Sequence, residues 1–206
     1  MQLPSKNSAG RRHTRVRRLG LVIGLLIASQ AAGLDRGSLA RAQDAQPTEY
    51  EVKAAFLYNF ARFIEWPADA FDGPQTPLVI GILGEDPFGS ALDDIIARKT
   101  VRGRAVVVRR LHRDQDLRGC HLLFISASEK KRLPEILLSL RGSTVVTVSE
   151  IDRFIYSGGT INLLVENSRV RFEVNLDAAA RARAKISAKL LALARGVVDD
   201  RAGKRN

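Results

Sequence analysis

Residues 78–83 read Leu-Val-Ile-Gly-Ile-Leu and are apolar at every position, so neither face of this segment can be left to water. A run of this kind is a strand buried on both sides, and it requires a covering layer above and below. The chain around it supplies such layers. Val52, Phe56, Phe60 with Asn59, and Phe63 with Ile64 recur at three- and four-residue spacing, which predicts a first helix ended by Pro67. After the strand, Gly84-Glu-Asp-Pro-Phe-Gly89 is a turn that opens a second helix through Ala91, Leu92, Ile95 and Ile96. Further short apolar strands are expected at Ala105–Val108, His121–Ile125 and Val145–Val148. A helix over Glu129–Leu140 follows the cap-like Ser126 and Ser128, and a short one begins at Ser149-Glu-Ile-Asp152 and stops at Gly158-Gly159.

Strands separated by helices, with connections too long for hairpins, predict a mostly parallel sheet flanked by helices on both faces. The order then changes. Thr160–Val165 and Val170–Asn175 are joined by Glu-Asn-Ser-Arg, a turn of hairpin length, so the sheet is expected to finish with an antiparallel pair. An amphipathic helix from Asp177, marked by Ile186, Leu190, Leu191 and Ala194, is expected to close the fold. The expectation is a single three-layer α/β domain over residues 43–198, with a C-terminal β-hairpin and closing helix. Residues 43–48 and the tail 199–206 lack apolar periodicity and are expected to be loose.

The formal charge of +11 resembles a nucleic-acid footprint until it is mapped along the chain. Residues 1–42 hold eight basic residues against Asp35 alone. A basic start, the apolar run Leu19–Ala28 and the small residues around Arg41 form the three parts of a secretory signal, with cleavage expected after about Ala42. The alternative is an uncleaved anchor, but the apolar stretch is shorter than the roughly 20 residues of a span and contains Ser29 and Gln30. Arg17-Arg18 leaves both the general and the twin-arginine export routes open. The expected location is therefore outside the cytoplasm. With one cysteine, Cys120, the chain has no internal disulfide, and its place at the start of an apolar strand points to burial.

Signatures of catalysis are sparse. Gly81, Gly84 and Gly89 fit neither a dinucleotide fingerprint nor a Walker loop, and Glu85 and Asp86 would repel an anionic ligand there. His112 and His121 lack the second ligand at helical spacing that a zinc site needs, so no metal or other cofactor is expected. Ser126-Ala-Ser128 reads as a helix cap, with no nucleophile elbow around it. A triad dispersed along the chain would leave no linear trace. Arg109-Arg110 and Lys130-Lys131-Arg132 lack interleaved aromatics, so no nucleic-acid partner is expected. Six of the twelve aromatic residues fall between Phe56 and Phe71. Most must be core, although aromatics on a short helix also serve as partner anchors.

The segment Val52-Lys-Ala-Ala-Phe-Leu-Tyr-Asn-Phe-Ala-Arg-Phe-Ile-Glu-Trp-Pro67 resembles the opening motif of the YfiR-like family of periplasmic proteins. Four further blocks resemble it in order: Leu78–Gly89, Cys120–Ser126, Gly158–Asn162, and Arg171–Leu176 leading into Ile186–Ala194. The resemblance implies a helix-flanked α/β sheet, a tendency to form homodimers and no catalytic activity. It also implies a repressor that engages the periplasmic sensor domain of an inner-membrane diguanylate cyclase and lowers cyclic di-GMP and biofilm formation. Relatives carry paired cysteines, which this chain lacks, so redox control through an internal disulfide is not carried over. By carry-over the partner-facing surface lies near the last hairpin and the helix before it, at Phe154, Glu166 and Glu173. Asn59, Arg62, Trp66, Phe172 and Asn175 form the family signature and are expected to fix the first helix against the last strand.

Two other functions compete with this one. A small-molecule sensor for another membrane signalling protein would hold its ligand at the strands' carboxyl ends, where Gly84–Gly89 and Ser126 fall. A hydrolase with a dispersed site ranks last, since no nucleophile and base are visible together.

Overall fold

The computed structural model describes residues 46–113 and 115–199. The expected signal segment, the first residues of the lead-in and the end of the tail lie outside the described residues.

Helix α1 (Glu49–Phe63) starts where Thr48 and Glu51 form a capping box: Thr48 accepts from the Glu51 N–H and the Glu51 carboxylate accepts from the Thr48 N–H. It buries Ala54, Leu57, Phe60 and Ala61, one face at helical spacing. The chain then becomes extended as β1 (Ile64–Glu65), and Pro67 follows. Strand β2 (Leu78–Leu83) is buried at all six positions. After it come α2 (Ala91–Ile96), β3 (Thr100–Val101), β4 (Arg104–Leu111), β5 (Leu122–Ile125), α3 (Leu133–Ser139) and β6 (Val146–Ser149). The hairpin β7 (Ile161–Glu166) and β8 (Arg169–Asn175) turns through Asn167 and Ser168, both at positive φ, as a two-residue turn between twisted strands requires.

Among the described residues the main sheet has eight strands. Its order is β10-β8-β7-β6-β5-β2-β4-β3, where β10 spans Gly196–Val198. The pairs from β4 through β2, β5 and β6 to β7 are parallel, β10 is parallel to β8, and only β7–β8 and β3–β4 are antiparallel. Strand alternation divides the core in two. Leu78, Ile80 and Ile82 face α1 and α2, whereas Val79 and Leu83 face Leu133, Ile136 and Leu140 around α3. This is the three-layer α/β arrangement the sequence predicts.

The elements differ from expectation in three places. The segment expected as one helix over 129–140 is a 3-10 stretch at Ala127–Arg132 followed by α3. Pro134 has no N–H to continue a helix from upstream and fits only a first turn. The helix expected from Ser149 reduces to one 3-10 turn, Phe154–Ser157, entered through Arg153 at φ +58° and left through Gly158 at φ +100°.

The closing helix is the largest correction. The chain instead forms α4 (Leu176–Arg181), β9 (Lys185–Ile186), α5 (Ala188–Leu191) and β10, so the hairpin is not the end of the sheet. Helix α4 is stopped by Arg183 at φ +54°, with the N–H of Arg183 bonded to Ala180 O and that of Ala184 to Ala179 O, the paired bonds of a Schellman end. Strand β9 then pairs antiparallel with β1, and Ser187 caps α5. The apolar residues that suggested one periodic helix fall on β9 (Ile186), on α5 (Leu190 and Leu191) and in the connection to β10 (Ala194).

Gly81 is a tight point of the α3-side core. A methyl group there would lie 2.6 Å from Cys120 Sγ and 2.9 Å from Leu123 Cδ1. Gly81→Ala is expected to destabilise the fold by about 1–3 kcal/mol through overpacking. Urea unfolding of the variant against the parent checks this, and an unchanged midpoint contradicts it.

Candidate partner-binding surface

Along the β7–β8 hairpin, Asn162 pairs with Glu173, Leu164 with Arg171 and Glu166 with Arg169. Through the register β2–β5–β6–β7, these six side chains occupy the α3 face of the sheet. On that face the 3-10 turn is fastened to the hairpin: the Phe154 N–H donates to Asn162 Oδ1 (3.2 Å), and Asn175 Nδ2 donates to Ile155 O (2.8 Å). Past this turn Arg171 is exposed, and the side chains of Glu166 and Glu173 are 40 % and 14 % exposed. Arg195, just before β10, spans the two acids, with Nη1 on Glu173 Oε1 at 2.5 Å and Nε on Glu166 Oε1 at 3.3 Å. The hydrogen bond to Glu173, then the charges of Glu166 and Glu173, push the pKa of this guanidinium further up. On the opposite face of the same strands, Val165 and Val197 are 48 % and 44 % exposed at the margin of the α1 core. The outer end of the sheet therefore presents a fixed charge cluster on one face and apolar side chains on the other, the mixed chemistry of a protein-binding surface.

Of the three residues expected to face a partner, Glu166 and Glu173 lie on this surface, partly shielded by Arg195. Phe154 does not. It is fully buried in the α3-side core, so close to Gly159 that a methyl group there would meet its ring at 2.1 Å. A one-turn helix that sinks Phe154 and Ile155 must direct the next side chain outward. Tyr156 is 63 % exposed, with the Arg153 guanidinium 5.5 Å from its ring centre. Sequence reasoning missed Tyr156 and Arg153 because Phe154 is the more apolar residue; only the phase of the 3-10 turn distinguishes them.

The signature residues lie apart. Phe172 is buried against Phe56 and Phe60, at 5.6 and 5.1 Å between ring centres, and fastens α1 to β8. Asn59 is half-buried on α1, and Arg62 is exposed with its guanidinium 5.7 Å from the rings of Tyr58 and Phe63. Asn175 caps α4 by accepting from the Ala178 N–H and holds the 3-10 turn through Ile155 O. Trp66 is half-buried elsewhere, donating from Nε1 to His121 O at 3.1 Å.

The crevice at the carboxyl ends of β2 and β5 is filled by the chain itself. The Glu85 N–H donates to Ser128 Oγ, while Asp86 accepts from the Phe88 N–H and from Arg110. Beside it the buried Lys53 bridges Glu49 and Glu150, and Tyr50 donates to Glu150. Burial alone would lower the Lys53 pKa, but its hydrogen bonds to Glu150 and Glu49 outweigh this and raise it. The groups expected to line a ligand crevice thus bond one another. No group of three or more His, Cys, Asp or Glu among the described residues is placed to hold a metal ion. Cys120 is buried, and burial pushes its thiol up to about 11, which keeps it protonated and unreactive.

His121 is buried with both ring nitrogens engaged. Nδ1 accepts from the Val79 N–H at 3.1 Å, which places the proton on Nε2, 3.0 Å from Ala70 O. Phe71 stacks on the ring at 4.3 Å. Burial, reinforced by the Arg104 charge, holds the pKa below its ordinary 6.5 despite the opposing Ala70 bond and Asp72. The neutral form is the native one, so this contribution to stability is present above about 6.5 and is lost as pH falls below it, when the unfolded chain binds the extra proton. Melting curves between pH 7.5 and 5 are expected to show this loss. His121→Asn, whose side-chain oxygen keeps an acceptor for Val79, is expected to flatten the slope; an equal slope in both proteins contradicts the assignment.

A family model described as YfiR/HmsC-like matches residues 50–195. Among solved structures, the chain is similar to a conserved domain protein from Vibrio cholerae O1 biovar El Tor strain N16961, at 10 % identity and a TM-score of 0.47. That match covers 73 % of this chain, and the chain spans 60 % of the length of the Vibrio protein.

Proposed function

The chain belongs to the YfiR/HmsC-like family, a regulatory family acting with membrane signalling proteins in the context of cyclic di-GMP, and on that premise we propose that it represses an inner-membrane diguanylate cyclase. In this reading residues 1–42 direct export and are cleaved after about Ala42, and the remaining domain, 43–198, works in the periplasm as a homodimer. It binds the cyclase's periplasmic sensor domain in the inactive state more tightly than in the active one, which is sufficient to lower cyclic di-GMP without chemistry of its own.

The observation that carries the proposal is the outer end of the sheet, where Arg195 ion-pairs with Glu166 and Glu173 on one face, Val165 is exposed on the other, and Tyr156 is exposed on the 3-10 turn. Aromatic and arginine side chains on a rigid element bind partners at low entropic cost. The filled crevice between β2 and β5 gives the sensor alternative no comparable support.

Deleting the gene is expected to raise cellular cyclic di-GMP, and the tagged full chain is expected to recover a diguanylate cyclase from solubilised membranes. Glu166→Arg reverses one charge of the cluster and is expected to weaken recovery at least tenfold while leaving the melting temperature within a few degrees. Unchanged cyclic di-GMP on deletion, with no cyclase recovered, contradicts the proposal. Full recovery with Glu166→Arg refutes the surface.

A further inference from the structure

A parallel β-α-β connection ordinarily lays a helix over the sheet, but the crossover from β6 to β7 contains only the 3-10 turn Phe154–Ser157. The strip of sheet that a full helix would cover remains open as a groove of about 690 Å³ beside α3. Along one wall stand Pro134, Leu137 and Leu138 of α3 and Arg141 just past its end, with Leu137 partly packed on the α3-side core. Leu138 on this wall is 58 % exposed. Ala178 of α4 and Ala182 just past its end line another side, and these small side chains permit close approach of a backbone.

The groove's polar floor is already satisfied. Thr147 and Thr160 hydrogen-bond each other, side chain to side chain and side chain to backbone, so they make no demand on a polar ligand. At the rim, Arg141 and Arg181 carry no side-chain ion pair among the described residues. The groove is thus mixed in chemistry, with Pro134, Leu137 and Leu138 along one wall, the paired threonines on its floor and two guanidinium groups at its rim.

We propose that this groove receives an amphipathic helix of a partner protein, its apolar face against Leu137 and Leu138 and its Asp or Glu side chains on Arg141 and Arg181. Charge selects this occupant over the chain's own segments. Residues 1–42 carry a net +7, and residues 200–206 hold Arg201, Lys204 and Arg205 against Asp200, so both would be repelled by the rim. A second copy without residues 1–42 still carries a basic excess, 25 Lys and Arg against 21 Asp and Glu over residues 43–206. The inference rests on the partner-binding reading and adds a second contact, separate from the Glu166–Arg195–Glu173 cluster.

The test places a photo-reactive phenylalanine analogue at Leu138 of the full chain in its own cells, with a control at exposed Lys189 on α5, and sequences the cross-linked segments. The expected result is an adduct from position 138, and not from 189, to a membrane-protein segment with apolar residues at i, i+3 and i+4 flanked by carboxylates. Its yield is expected to fall at least tenfold when Arg141→Glu and Arg181→Glu are combined. An adduct to another copy of the chain, to a non-helical or basic segment, or one indifferent to the charge reversal overturns the proposal, as does the absence of an adduct. If position 138 gives none while the cyclase is still recovered, the groove assignment fails and the function stands. If it labels an acidic helix of a different membrane protein while no cyclase is recovered, the function fails and the groove stands.

Discussion

A parallel sheet hides both of its faces, and in this chain the hiding is incomplete in a specific way. Strand β2 is buried throughout because α1 and α2 lie on one side and α3 on the other. Proceeding outward through β6 to β7, β8 and β10, the α3 side carries a 3-10 turn in place of a full helix, and beyond it Arg195 lies on Glu166 and Glu173. The well-packed centre fixes the backbone, and the thinly covered flank is thereby held rigid while staying accessible. Exposed side chains on such a flank lose little freedom when a partner arrives.

The fastening of α1 makes this possible. Phe56, Phe60 and Phe172 join it to β8, the β1–β9 pair and Ser187 join its end to the C-terminal segment, and Lys53 with Glu49 and Glu150 secures its start at the carboxyl ends of the strands. The last of these fastenings also fills the place where open α/β sheets usually hold ligands. One arrangement therefore fills the customary ligand crevice and leaves the outer end of the sheet as the candidate surface for the proposed partner.

Much of the fold was legible because buried strands announce themselves. Leu78–Leu83 is apolar throughout, and Asn167-Ser168 is a turn that only a hairpin explains. The C-terminal segment was misread for an equally physical reason. Ala-rich sequence with Ile186, Leu190 and Leu191 satisfies helical periodicity, and the interruption at Arg183 is a left-handed residue that carries no glycine to signal it. The surface was harder still. Glu166 and Glu173 fall on it, but Phe154 is core and Tyr156 is exposed, a distinction set by the phase of a four-residue turn that periodicity cannot resolve. The groove beside α3 arises from a helix that is missing, and a sequence does not advertise the volume that an absent element leaves.

Hydrogen–deuterium exchange of the full chain, alone and with a solubilised diguanylate cyclase, tests the central claim most directly. Protection on binding is predicted over residues 153–175 and 193–198, with none along β3 and β4 at the far edge of the sheet. Protection confined to β3, β4 and α2, or no change anywhere, would contradict the assignment of the outer hairpin end as the regulatory surface.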